Sequence, residues 1–217
     1  MKKQDYIIKD EKYFKNVRLD IVGFIKNQKG LTVLDIGGGS GGTLLFLKEQ
    51  GIATKIHLFD IVDQTKDKNV FNSITIGDIN TTQLYDEKYD VIILSDVIEH
   101  MIDPNILINK AKKKLKKNGK LLISLPNIQF IKAMYKVFVK GSFEYEKSGI
   151  FDKTHMRFYC KSDMIKLFNN HGDLVINKVF SVNKFVNSKL SFIDKITFGL
   201  FSQWLSMQYL LEIEKKE

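Results

Sequence analysis

Residues 33–42 read VLDIGGGSGG. A short apolar run ends in an acid, Asp35, and five of the next seven residues are glycine. Glycine weakens any regular element that contains it, so a cluster here marks a place something must approach closely. The run before it, GLTVLDI, is rich in β-formers. The stretch after it, GGTLLFLKEQG, is a helix closed by Gly51. The junction is therefore a strand-to-helix turn with almost no side chain.

The rest of the chain repeats the alternation. TKIHLFDI, NSITIGDI, YDVIILSDVI and KLLISLPN read as strands two to five, and NILINKAKKKLKKNG reads as a helix ending at Gly119 with lysines crowding its last turns. Nearly continuous apolar strands alternating with helices predict a parallel sheet covered on both faces. Such sheets bind ligands at the carboxyl ends of their strands. Asp35, Asp60, Asp78, Ser95 and Asp96 fall at those ends. Residues 5–29 carry a loose helical pattern, including Tyr13. Residues 129–160 fit the alternation less well and read as an insertion before a helix with Ser162 as its cap. LVINKVFSV is a sixth strand, and MQYLLEIEKK is a closing one. The stretch KLSFIDKITFGLFSQWL is an amphipathic helix with Phe192, Ile196, Leu200 and Trp204 at four-residue spacing. That stripe suits a core or oligomer face, or contact with a membrane.

With 217 residues and 44% hydrophobic content, the chain is expected to be one domain with a real core. No run approaches the roughly 20 apolar residues of a membrane span. MKKQDYIIKDEKYF has no apolar core of export-signal length, so no such signal is expected. The single cysteine, Cys160, rules out an internal disulfide and suits a reducing cytoplasm. Net charge is +9, yet the only arginines are Arg18 and Arg157. Nucleic-acid readers lean on arginine forks, so the lysine excess reads as a solvated surface and no nucleic-acid partner is expected.

Two readings compete at the glycine turn. Gly37, Gly39 and Gly42 match G-x-G-x-x-G, a dinucleotide loop with Asp60 eighteen residues on for a ribose. Asp35, Gly37, Gly39 and Gly41 match D-x-G-x-G-x-G, which resembles motif I of the class I S-adenosylmethionine-dependent methyltransferases. A carboxylate beside the turn suits a sulfonium and an ammonium better than a pyrophosphate. The later motifs are similar to the same family in order. The resemblance implies that Asp60 and Ile61 meet the ribose, Asp78 and Ile79 the adenine, and Ser95 the methionine end of the donor. It implies a Rossmann-like, doubly wound seven-stranded sheet, mostly parallel with an antiparallel last strand. It also implies S-adenosyl-L-methionine as cofactor and S-adenosyl-L-homocysteine as product.

The segment GIFDKTHMRFYCKSDM is similar to a D-x-T-H-x-R-F stretch of methyltransferases associated with surface polysaccharides and other small molecules. The expectation is an O-methyltransferase acting on a sugar, a glycan precursor or a phosphate- or phosphoramidate-bearing capsule intermediate. His155 and His100 are the candidate general bases. Arg157 is the candidate anion clamp, with Tyr13 a further acceptor contact. Arg157 could instead pair with Asp152, and either histidine could be structural. His57, His171 and Cys160 read as structural, and no set has metal-ligand spacing along the chain. VIEHMIDP also occurs in quinone-type O-methyltransferases, which keeps an aromatic acceptor open. An RNA methyltransferase and a non-catalytic S-adenosylmethionine-binding protein are the remaining readings. The expected partner is a small-molecule acceptor, with the chain a monomer or homodimer, cytoplasmic or peripheral at the inner membrane face.

Overall fold

A computed structural model describes residues 17–182 and 189–216. In chain order the elements are α1 (Leu19–Val22), β1 (Leu31–Ile36), α2 (Gly42–Glu49), β2 (Ala53–Asp60), β3 (Ser73–Ile76) and β4 (Tyr89–Ser95). Next come α3 (Pro104–Lys114), β5 (Leu115–Pro126), α4 (Ile131–Met134), α5 (Lys161–Asn169) and β6 (Leu174–Val182). The described chain closes with α6 (Lys189–Ile196), α7 (Ser202–Leu205) and β7 (Gln208–Lys215). The strands form one seven-stranded sheet in the order β3-β2-β1-β4-β5-β7-β6. β1 to β5 run parallel, and β7 runs antiparallel to both β5 and β6.

Strand order reverses between β1 and β4, which opens a crevice above their carboxyl ends. Alternation along each strand sends side chains to two cores. Leu34, Ile92, Leu94 and Ile123 pack with Leu107 and Ala111 of α3 and Phe168 of α5. Val33, Leu58, Ile93 and Leu122 pack with Ile21 of α1 and with Leu44 and Leu47 of α2. Each such buried side chain contributes about 1.5–3 kcal/mol of transfer free energy.

Several boundaries differ from the sequence reading. α3 ends at Lys114 rather than at Gly119, because Leu115 already pairs with Tyr89. The register then slips before Lys120 pairs with Val91, and Asn118 takes φ 59° within the slip. α5 is capped by Cys160, whose N–H donates to the Asp163 carboxylate at 3.1 Å, and Ser162 lies inside the first turn. The aromatic stretch is two helices, not one. Phe198 (φ 52°) and Gly199 (φ 82°) turn the chain between α6 and α7, and Phe192, Ile196 and Leu200 stand exposed rather than in a core. Of the helical pattern read over residues 5–29, residues 5–16 lie outside the described ones; in the described part only α1 is helical, and the chain turns over residues 23–27. Within 129–160, α4 runs into a π turn over Tyr135–Val139 and the chain is then irregular. Among the described residues no helix is long and apolar enough to cross a membrane.

Candidate functional site

The glycine turn lies between the carboxyl ends of β1, β2 and β4. Gly37, Gly39 and Gly41 all have positive φ, at 77°, 60° and 79°. A Cβ on Gly37 would stand 2.5 Å from Val97, and one on Gly41 would stand 2.5 Å from the Phe71 ring. Both contacts are closer than a side chain can occupy, and L-residues avoid that backbone region. The turn is held from outside as well. Gly37 N–H donates to the Phe59 carbonyl at 2.7 Å, and Gly39 N–H donates to Asp60 Oδ2 at 2.8 Å.

A cavity of about 330 Å³ opens above this turn. Its walls include Asp35, Gly37, Gly39, Asp60, Ile61, Asp78, Ile79 and Ser95, eight of the nine residues expected to meet the cofactor. Gly41 stands behind the wall as the left-handed residue preceding α2. Asp35 is 3% exposed, and its Oδ1 has no hydrogen-bond partner among the described residues. Burial pushes its carboxyl up to about 8; the Asp60 charge adds to the shift and Arg18 opposes it. A buried carboxylate oxygen without a donor is costly unless a cation or donor meets it. Asp60 is buried too. Burial raises its carboxyl above the usual range, against the N–H groups of Val62 and Gly39. Main-chain N–H groups of Val62, Gly39 and Ile61 meet the Asp60 carboxylate, and a carboxylate has about four acceptor sites, so capacity remains for a hydroxyl. Asp78 is exposed and takes both the N–H and the amide of Asn80 at 2.8 Å, which shapes the turn that presents Ile79. Lys110 steadies that turn, donating to the carbonyls of Ile79 and Thr82.

The cavity is also lined by Val97, His100, Met101 and Ile102. His100 Nδ1 bonds to the Thr154 carbonyl at 3.0 Å. His155 does not line the cavity. Its ring stands edge-on to His100 at 4.7 Å, and its Nδ1 bonds to the Ile150 carbonyl at 2.8 Å. The structure thus separates the two candidate bases into one wall residue and one off the wall. Arg157 is not paired with Asp152 and does not line the cavity; its guanidinium holds the Ile102 carbonyl at 2.6 and 3.0 Å. Asp152 instead accepts the N–H and hydroxyl of Thr154 at 2.9 and 2.6 Å. Tyr13 lies outside the described residues. His57 bonds to Ser73 between β2 and β3, and His171 bonds to Asn105, both structural uses.

The sequence reading missed Arg18 as a wall residue. Its guanidinium joins Asp20 (2.9 Å) to Asp96 (2.8 Å). Burial disfavours its charge, but the two carboxylates outweigh that and hold it protonated. Asp96 adopts φ 55° and also accepts from Ser124 at 2.9 Å and from Gln208. The only advance signal was scarcity: Arg18 is one of two arginines. The carboxylate of Glu99, buried at 1% exposure, was likewise not anticipated.

Comparison with known proteins agrees with this geometry. A family model described as a methyltransferase domain matches residues 10–175. The ubiquinone biosynthesis O-methyltransferase of Pasteurella multocida is 33% identical over 143 residues, covering 54% of this chain and 59% of that one. The Histophilus somni enzyme of the same name is 32% identical over 148 residues, covering 57% and 62%. The chain therefore spans about three-fifths of the length of these curated relatives. Among solved structures, an S-adenosylmethionine-dependent methyltransferase from Mesorhizobium loti superposes with TM-score 0.62 at 13% identity, covering 91% of this chain and 96% of that one. Coclaurine N-methyltransferase bound to N-methylheliamine and SAH superposes with TM-score 0.62 at 15% identity, covering 91% and 71%. At these identities the structural likeness speaks for the fold.

Proposed function

The chain belongs to the methyltransferase-domain family, whose methyl donor is S-adenosylmethionine, and from that premise we propose that it is an O-methyltransferase for a hydroxyl on a small, largely apolar acceptor of the phenol or quinol kind. One arrangement carries the reading. Acids at three successive strand ends, Asp35, Asp60 and Asp78, border a single cavity, and Val97, His100, Met101 and Ile102 line the part of it that this reading assigns to the acceptor.

Asp35 presents a buried, undonated oxygen to that cavity, which suits a cationic ligand. Asp60, fixed by Gly39 and Val62, offers its remaining acceptor capacity to a ribose hydroxyl. Ile79 gives an adenine an apolar face, and the exposed Asp78 gives its amino group an acceptor. When bound, the donor supplies an electrophilic methyl group on a sulfonium, open to in-line displacement by an oxygen. The protein's part is then alignment, which can supply most of the barrier reduction, and removal of the hydroxyl proton. His100 is placed for the second task. Its proton sits on Nδ1, donated to Thr154, so Nε2 is the basic nitrogen.

An apolar acceptor fits the cavity better than a phosphate-bearing one. Met101 and Ile102 help to line it, and Arg157, on which an anion clamp was expected to depend, is tied to a backbone carbonyl. The curated relatives bear the name of an aromatic pathway, which supports the same choice. A sugar hydroxyl is the second reading, supported by the similarity of the Asp152–Phe158 segment to polysaccharide-associated enzymes. The deciding assay offers purified protein and S-adenosylmethionine a catechol series and a nucleotide-sugar series, with methylated product read by mass. Transfer to catechols is the expected result, and transfer to sugars alone would replace it with the second reading. Lack of cofactor binding in calorimetry would end both.

A further inference from the structure

At the acceptor end of the cavity the fold brings together three residues from two segments that lie far apart in the chain. Glu99 and His100 come from the turn after β4, and His155 comes from the 129–160 segment. All three side chains are buried, at 1%, 8% and 6% exposure. One ligand atom from each lies within 4.8 Å of the others, and His155 Nε2 is 3.9 Å from Glu99 Oε1.

We propose that Glu99, His100 and His155 bind one divalent transition-metal ion of the zinc class, held beside the acceptor end of the cavity. The proposal rests on the reading of that cavity given above, and extends it.

Three features support it. First, the donor set is two imidazoles and a carboxylate, the chemistry that suits zinc and its neighbours among the first-row metals. Second, both imidazoles are oriented by backbone carbonyls. His100 Nδ1 bonds Thr154 and His155 Nδ1 bonds Ile150, which fixes the tautomer and turns Nε2 toward the cluster. Outer partners of this kind accompany metal-bound histidine. Third, the two chain segments are clamped together. The Glu99 carbonyl accepts Met156 N–H at 2.8 Å and Arg157 N–H at 3.0 Å, while Arg157 grips Ile102 one turn further on. Arg157 is thus a positioning residue for the cluster.

The electrostatics point the same way. A carboxylate only accepts, and an imidazole with its proton on Nδ1 presents a lone pair at Nε2. Two imidazoles and a carboxylate gathered in a buried place are a donor set that suits a metal ion. Zinc bonds of about 2.0–2.2 Å place ligand atoms roughly 3.4 Å apart. The ligands therefore draw in by about an ångström on loading, within reach of small side-chain rotations. Three protein ligands leave an open position on the ion. His100 lines the cavity, so an ion held by its imidazole would lie next to that wall. It would supply Lewis acidity to a hydroxyl that reached it, the oxygen keeping the electron pair of the O–H bond and the proton passing to water. His100 would then be a ligand, and the ion would do the acidifying that the bare imidazole does in its absence.

The test uses untagged, full-length protein stripped with a chelator and titrated with zinc chloride alone. Calorimetry and elemental analysis should give one equivalent per chain at micromolar affinity or tighter. Glu99→Gln and His155→Asn should each weaken binding at least tenfold. The control His171→Gln, on a histidine outside the cluster, should leave it unchanged. Histidine NMR of the wild-type protein supplies a readout that does not depend on variants folding: two imidazoles should shift on zinc addition and two should not. Absence of stoichiometric binding, or binding undiminished in both variants, overturns the proposal. Cofactor binding is measured in parallel on stripped protein. Its loss with zinc retained would count against the methyl-transfer reading, and zinc lost with cofactor binding retained would count against the metal site alone.

Discussion

Asp35 makes the sharpest demand of any single residue. Burial and the Asp60 charge keep its carboxyl protonated up to about pH 8, while an unfolded aspartate ionises near about 3.9. The fold therefore holds this proton more tightly than the unfolded chain. Its stabilising contribution is full below about pH 4 and is lost as pH rises through about 8. The thermal midpoint of the cofactor-free protein should decline across that window, and Asp35→Asn should flatten the decline. A cationic ligand reverses the preference. Binding of S-adenosylmethionine at neutral pH should release a proton, visible as a buffer-dependent heat in calorimetry and absent in Asp35→Asn. Gly41→Ala tests the turn itself. A side chain at φ 79° facing Phe71 at 2.5 Å should destabilise by about 1–3 kcal/mol in denaturant titration. These residues were legible in advance, because a motif of glycines and acids at short spacing is a local statement about backbone shape and charge. The pKa of Asp35 was not, since it depends on what the fold stacks above it.

At the level of elements, the site is closed by a join between distant pieces. Arg18 precedes α1, Asp96 follows β4 and Gln208 begins β7; all three meet around the Asp96 carboxylate. Thr43 of α2 adds a bond to the Arg18 main chain at 3.1 Å. Asparagine tolerates the positive φ at position 96, so Asp96→Asn isolates the charge. It should cost about 1–2 kcal/mol, the range for a partly exposed hydrogen bond to a charged group. Combined with Arg18→Met, the loss should be clearly less than the sum of the single changes, because both remove one interaction. Denaturant midpoints of the four proteins check this. Sequence periodicity located the strands well, since buried parallel strands are continuous apolar runs. It overran α3, because KKLKKNG is as helix-compatible as the residues before it; pairing of Leu115 with Tyr89 decided the end. It also joined α6 to α7, because four-residue spacing continues through Phe198 although the backbone turns there.

For the molecule as a whole, stability is expected to reside in the centre of the sheet. Ile92 of β4 is fully buried between two helical layers, and Ile92→Ala should cost about 2–5 kcal/mol. Phe138, at 74% exposure, has no comparable role, and Phe138→Ser should fall within about 0.5 kcal/mol of wild type. Equilibrium unfolding of the two variants would separate core from surface; equal losses would mean that the 129–160 segment is part of the cooperative unit. Lys112, Lys114 and Lys116 pair locally with Asp173, Asp86 and Asp90, while the net charge of +9 is the excess of 34 basic over 25 acidic residues that such pairs leave unchanged.

What the amino-acid order determined by itself was everything local. It set a glycine turn that admits no side chain, acids at the ends of apolar strands, and a strand–helix rhythm that can close only as a covered sheet. Those follow from backbone sterics and hydrophobic period, which act over a few residues. The tertiary structure alone decided which distant groups share one small volume. It put His100 at the wall and His155 off it, turned Arg157 onto a carbonyl, brought Arg18 to Asp96, and gathered Glu99 with two imidazoles. Such meetings depend on strand order and on how segments dock across the sheet, and chain spacing carries no record of either.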